Sequence, residues 1–109
     1  MGVRFGTDGI RGVANAELGA ELVLALGRAA ARMLPARAFV VGRDTRRSGP
    51  LLQAALSAGM ASEGADVVDL GVIPTPGVAW VASRRGLPGA VVSASHNPFS
   101  DNGVKLIGA

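Results

Sequence analysis

A hydroxyl, the only histidine and the only lysine of this chain fall close together in Ser93-Ala94-Ser95-His96-Asn97-Pro98 and the following Asp101-Asn102-Gly103-Val104-Lys105. Of the 11 Lys and Arg residues all the others are arginine, so Lys105 departs from the chain's own habit. An ammonium on a flexible stem is a compact charge, whereas a guanidinium is a fixed planar fork. The choice points to a need for the amine itself. Three roles are open to Ser95. An acyl-transfer nucleophile needs an adjacent base and an oxyanion hole. His96 is next in sequence, and neighbours along an extended chain point to opposite sides; the Gly-x-Ser-x-Gly elbow is missing as well. A phosphate-carrying serine needs cationic neighbours instead, and Arg11, Arg43, Arg46, His96 and Lys105 supply them if their loops converge. The third role is structural: a strand-end serine in an ordinary turn containing Asn and Pro.

Other residues also have plain readings. Asp44, flanked by Arg43 and Arg46, can be a solvated ion pair worth roughly 0–1 kcal/mol. Asp101-Asn102-Gly103 is a good reverse-turn sequence whatever its function. His96 can simply fill a hydrogen-bonding place in its loop. The Gly-x-x-x-x-Gly-Lys-Ser/Thr pattern is absent, as is Gly-x-Gly-x-x-Gly between a strand and a helix, which removes the usual support for nucleotide binding. No His, Asp or Glu cluster has the spacing to hold a metal unaided.

The elements that must position these residues alternate along the chain. Phe5-Gly6-Thr7-Asp8-Gly9-Ile10-Arg11-Gly12 is a glycine-punctuated opening with an acid and a base. Ala20 to Leu34 reads as a helix with Leu22, Leu26, Ala29, Ala30 and Met33 at helical spacing and Arg28 and Arg32 one turn apart; Pro35 ends it. Ala38 to Gly42 reads as an interior strand, followed by the polar loop Arg43-Asp44-Thr45-Arg46-Arg47. Ser48 or Gly49 caps a second helix with Pro50 in its first turn, a buried stripe of Leu52, Ala55, Leu56, Gly59 and Met60, and an end at Gly64. Ala65 to Leu70 is the next strand. Thr75 as N-cap and Pro76 at the first helical position start a third helix to about Arg85. Strands over Ala90 to Ser93 and Val104 to Ile107 complete the chain. The fold class is therefore α/β, a mostly parallel (mixed) sheet flanked by helices. Ligands in such open sheets bind beyond the carboxyl ends of the strands, where the loops after Gly42 and Ser93 lie.

Composition narrows the partners. The 109 residues suffice for one small domain, and 49% are hydrophobic against 17% charged, which excludes disorder. With no cysteine there is neither a disulfide framework nor a thiolate metal site. No apolar run reaches the ~20 residues of a membrane span, and the N-terminus lacks a charged-then-apolar leader, so the expectation is a cytoplasmic protein with no membrane partner. The net charge of +3 comes from scattered arginines, and three Phe, one Trp and no Tyr leave few stacking platforms. That argues against nucleic acid and fits a small phosphorylated ligand.

Taken together, Phe5-Gly6-Thr7-Asp8-Gly9-Ile10-Arg11-Gly12, Gly42-Arg43-Asp44-Thr45-Arg46 and Ser93-Ala94-Ser95-His96-Asn97-Pro98, with Thr75-Pro76 between the last two, resemble the α-D-phosphohexomutase family. The resemblance implies the first domain of the phosphohexomutase fold, incomplete over 1–109 and lacking the later domains. It implies an intramolecular phosphotransferase acting on a hexosamine or hexose phosphate, in which Ser95 is carried as a phosphoserine. Arg11 and Lys105 become candidates for the proton transfers and for transition-state charge, His96 for holding the phosphoserine, and Thr7 and Asp8 for lining the same pocket. Arg43, Asp44 and Arg46 carry over as loop-shaping residues. Mg²⁺ is the implied cofactor, bound through the Ser95 phosphate, with its other ligands in an Asp-Gly-Asp-x-Asp loop outside these residues. An oligomer of the full-length protein is compatible with the resemblance. Residue chemistry alone also allows a non-catalytic α/β module that binds an anion.

Overall fold

A computed structural model describes residues 4–6, 9–13, 19–45, 47–93 and 101–108, with side chains described for 19–45, 47–93 and 103–108. Two short strands, β1 (Arg4–Gly6) and β2 (Gly9–Val13), are followed by helix α1 (Ala20–Met33), strand β3 (Ala38–Arg43) and helix α2 (Gly49–Ser62). Strand β4 (Asp66–Val72), helix α3 (Thr75–Arg85), strand β5 (Gly89–Val92) and strand β6 (Asp101–Ile107) complete the order. The six strands form one sheet in the order β1-β2-β6-β5-β3-β4. β3 runs parallel to both β4 and β5, whereas β5–β6, β2–β6 and β1–β2 are antiparallel. The expected mixed α/β sheet is thus observed, with its parallel part built by the α2 and α3 crossovers.

The opening segment, glycine-punctuated in sequence, contributes the hairpin β1–β2, with Gly6 opposite Gly9. Elsewhere the boundaries shift by a residue or two. Pro74 rather than Thr75 occupies the N-cap of α3, because the Pro74 carbonyl already accepts the N–H groups of Gly77 and Val78 at 2.8 and 3.2 Å.

β3 and β5 are buried on both faces, as interior parallel strands must be. Their alternate residues feed two cores. Phe39, Val41, Ala90 and Val92 pack with α1 and α2, while Val40 and Val91 pack against Val78 and Ala82 of α3. Full burial of residues such as Phe39, Leu52 and Leu56 contributes about 1.5–3 kcal/mol each in transfer free energy. The edge strand β4 instead carries Asp66 and Asp69, and its register with β3 shifts between Val41 and Gly42. Charge and irregularity both discourage a foreign strand from pairing there.

The stripe expected on α2 is buried at all five positions. That on α1 is met in part: Ala30 is buried and Leu26 packs half-buried against the core, but the centre of the buried face is displaced. Val23, Gly27 and Ala30 are the buried residues, while Met33 is 76% exposed. The cause is the helix crossing itself. A Cβ on Gly27 would fall on the Leu56 carbonyl oxygen, and one on Gly59 on the Leu24 carbonyl oxygen. The two helices meet backbone to backbone through these glycines, so the smallest face of α1 turns inward in preference to its leucines. Just outside the crossing, Arg28 and Arg32 both reach Glu63 beyond the end of α2, at 3.3 and 2.9 Å. The Arg32 hydrogen bond, against some burial and helped by Arg28, holds the Glu63 carboxyl below its ordinary range.

Replacing Gly27 or Gly59 by Ala is expected to lower the unfolding free energy by about 1–3 kcal/mol, because the clash is with backbone that cannot yield locally. Urea denaturation of each variant measures the loss; a gain in stability, as helix propensity alone predicts, would contradict the close crossing.

Candidate active site

The parallel strands β3, β4 and β5 end at one edge of the sheet, and β6, antiparallel to β5, begins there. A continuous row of backbone contacts crosses this edge. The Asp44 N–H donates to the Val92 carbonyl at 3.2 Å, and the Ser93 N–H donates to the Gly103 carbonyl at 2.9 Å. On the far side of Gly103, residue 11 of β2 lies directly opposite. The segment that carries Ser95 therefore leaves the sheet at Ser93 and returns at Asp101, between strand ends that are hydrogen-bonded to each other.

Register decides which candidate residues share a face. Lys105 pairs with Val91, and both Val91 and Ile107 belong to the core on the α3 side. Lys105 is half-buried on that side. Because Arg11 pairs with Gly103, pleating puts positions 11, 103 and 105 on one face of the sheet. Positions 11 and 105 are thus diagonal neighbours on adjacent strands, about 7–8 Å apart. Two of the cationic candidates, far apart in sequence, are brought together by the β2–β6 pairing. Ser95, His96, Thr7, Asp8 and Arg46 lie outside the described residues.

Arg43 does not join that group. It follows Gly42, which faces Ile73 and Val78 on the α3 side, so Arg43 turns to the opposite face. There its Nη1 donates to Gln53 Oε1 at 2.6 Å. Gln53 is 5% exposed and passes the link on: its Nε2 donates to Asp69 Oδ1 at 2.7 Å. The Gly71 N–H donates to the same oxygen at 2.7 Å. A guanidinium, an amide and a carboxylate are so joined across β3, α2 and β4, in the wall of an open cavity of about 430 Å³. The Gln53 bond first, then that of Gly71, and last the Arg43 charge hold the Asp69 carboxyl below its ordinary range, against the opposing effect of burial. Sequence reading misses Gln53, whose type is unremarkable. The available signal is a long polar residue inside the apolar stripe of α2, one position after Leu52.

Asp44 has a side-chain partner distant in sequence. Its Oδ2 accepts the Ser93 hydroxyl proton at 2.9 Å, across 49 positions of sequence. The helices α2 and α3 follow β3 and β4 and begin at this carboxyl edge, and the unpaired N–H groups of helix starts favour anions nearby. Among the described residues no group of three or more His, Asp or Glu is placed to hold a metal ion. Also among the described residues, no helix is long and apolar enough to cross a membrane.

Helices on both faces of one mixed sheet, with positions 11 and 105 on neighbouring strands, define an α/β/α domain. Residues 2–109 match the family model described as phosphoglucomutase/phosphomannomutase, alpha/beta/alpha domain I, and the chain belongs to that family. It is 61% identical over 109 residues to a phosphoglucosamine mutase of Symbiobacterium thermophilum, covering 94% of this chain and 24% of that protein. It is 54% identical over 114 residues to a phosphoglucosamine mutase of Desulforudis audaxviator, covering 100% of this chain and 25% of that one. A crystal structure from Thermus thermophilus, assigned to a phosphomannomutase, superposes with a TM-score of 0.88 at 36% identity, over 99% of this chain and 26% of that one. The chain thus spans about a quarter of the length of the relatives it matches.

Since the folded-state pKa of Asp69 is depressed, its contribution to stability is present above the unfolded carboxylate value and lost as pH falls through the folded one. Asp69→Asn keeps an acceptor oxygen for Gln53 and Gly71 but not the charge. The variant is expected to be less stable than the parent near neutrality, with the two denaturation midpoints converging below about pH 4. Midpoints that stay equally far apart down to acid pH would refute the role of the charge.

Proposed function

We propose that this chain is the first domain of a phosphoglucosamine mutase, which interconverts glucosamine 6-phosphate and glucosamine 1-phosphate. The product of that reaction in the forward direction is a precursor for UDP-N-acetylglucosamine and the bacterial cell wall. The single observation that carries the reading is the pairing of β2 with β6, which makes positions 11 and 105 neighbours beside the exit point of the Ser95 segment. Identities of 54% and 61% to proteins named phosphoglucosamine mutase support the choice of sugar.

In this reading Ser95 carries a phosphoryl group. The free hydroxyl of the bound sugar phosphate attacks that phosphorus; the bond from phosphorus to Ser95 Oγ breaks as the bond to the sugar oxygen forms. A 1,6-bisphosphate results, with an unmodified serine. The sugar then reorients, and Ser95 Oγ takes the other phosphoryl group, which restores the phosphoserine and releases the isomeric monophosphate. The proton lost by the attacking hydroxyl and later regained at the leaving oxygen is exchanged with the side chains beside it, for which Arg11 and Lys105 are the candidates. The same two cations stabilise the charge spread over the equatorial oxygens in transfer. His96 steadies the phosphoserine, and Thr7 and Asp8 line the pocket.

Mg²⁺ supplies charge neutralisation at the phosphate when bound, a task suited to a hard cation with oxygen ligands. Among the described residues no carboxylate cluster is placed to hold it; in this reading the Ser95 phosphate would hold it from this domain. Its other ligands belong to the remainder of the full-length protein. A cytoplasmic location and a possible oligomer of that protein are consistent with the reading. The Thermus neighbour favours a second reading within the same family, a mutase for mannose or glucose phosphates, because the sugar-selecting segments lie outside these residues.

Incubating the full-length protein with a labelled hexose 1,6-bisphosphate is expected to label Ser95, and Ser95→Ala is expected to lose both label and turnover. Turnover with glucosamine, glucose and mannose phosphates then ranks the sugars. Label or turnover that survives Ser95→Ala would sink the reading, as would mutase activity of the 109 residues alone sink the need for further domains.

A further inference from the structure

We infer that Asp44 is a positioning residue for the Ser95 segment and acts through the hydroxyl of Ser93. The inference rests on the phosphoserine reading above. Asp44 is the first residue beyond β3 and Ser93 the first beyond β5, two parallel neighbours whose ladder ends at the pair Arg43 and Val92. One step past that pair the strands are still joined, but by different groups. The Asp44 N–H holds the Val92 carbonyl at 3.2 Å, and the Asp44 carboxylate holds the Ser93 hydroxyl at 2.9 Å. Asp44 thus grips the residues on both sides of the peptide bond at which the chain leaves the sheet.

On the other side, the Ser93 N–H is held by the Gly103 carbonyl at 2.9 Å. The side chain and the backbone of Ser93 are therefore fixed from β3 and from β6 respectively. Ser95 is two residues further on. A hydroxyl bound to a carboxylate is a charge-assisted contact and is stronger than one between neutral groups. Asp44 itself has a firm base, because the preceding residue is anchored twice. The Arg43 carbonyl accepts the Ile73 N–H at 3.0 Å, and the Arg43 guanidinium is held by Gln53. What such an arrangement fixes is the direction in which the chain leaves the sheet two residues before Ser95, and small errors in the placement of a reacting group are costly in phosphoryl transfer.

The test compares Asp44→Ala, Asp44→Asn, Ser93→Ala, Ser93→Thr and the double variant Asp44→Ala/Ser93→Ala in the full-length protein. Turnover and labelling of Ser95 from a hexose 1,6-bisphosphate are measured for each. Labelling and turnover of the parent protein judge the phosphoserine reading by itself, so its failure is distinguishable. Asp44→Ala and Ser93→Ala are each expected to lower kcat roughly ten- to a hundredfold, with KM for the sugar phosphate little changed. The double variant falls by less than the product of the two single losses, because the bond that joins the two side chains is lost only once. Ser93→Thr, which keeps the hydroxyl, restores most of kcat, and Asp44→Asn, which keeps an acceptor, is intermediate. If Asp44→Ala does not fold, the contrast between Ser93→Ala and Ser93→Thr decides. An active parent with kcat unchanged in Ser93→Ala would overturn the inference, and so would losses that multiply in the double variant.

Discussion

Strand β6 is hydrogen-bonded along both sides by antiparallel neighbours, β5 and β2. Without that reversal the strands from β2 to β4 would all run parallel, and each would bring only its own loop to the carboxyl edge. Because β6 starts where β5 ends, the chain that leaves at Ser93 returns to the same edge after seven residues. β2, paired on the outer side of β6, then carries residue 11 to the same place. The distance between the opening of the chain and its last strand is closed by main-chain bonds, which need no particular side chain. Side chains are left to provide the chemistry.

A second constraint is the alternation of the pleat. Arg43 and Asp44 are neighbours in sequence and read as one polar unit, yet they serve opposite faces. Arg43 goes to the α2 side, where Gln53 and Asp69 complete its bonding, and Asp44 goes to Ser93 at the edge. The guanidinium that looks, by type, like one more phosphate ligand is occupied in bracing the strand end. The cationic positions that do stand beside the exit of the Ser95 segment come from β2 and β6.

The layer behind the sheet is held by equally local means. Gly27 and Gly59 let α1 and α2 touch through their backbones, and this proximity, rather than the bulk of the apolar residues, sets the rotation of α1. Val23 and Ala30 are buried in consequence, while Leu22 and Leu24 lie at the rim. A hydrophobic stripe chosen by side-chain size alone is therefore rotated away from the real contact.

Much of this protein is determined by its sequence at short range. Periodicity marks the helices because one face of each must be apolar, prolines and glycines mark their ends because of backbone geometry, and the runs around Val40 and Val91 mark strands buried on both sides. The residue types at 11, 95, 96 and 105 carry the proposal of phosphate chemistry, because a hydroxyl among guanidinium, imidazole and amine groups is suited to holding a phosphoryl group. What short-range pattern does not contain is partnership. That the opening segment is a hairpin, that Arg11 lies beside Gly103, that Gln53 links Arg43 to Asp69 and that Asp44 holds Ser93 are all outcomes of tertiary structure. Each joins residues distant in sequence or depends on which strand borders which, and sheet order is set by global packing and main-chain hydrogen bonding that no local window can express.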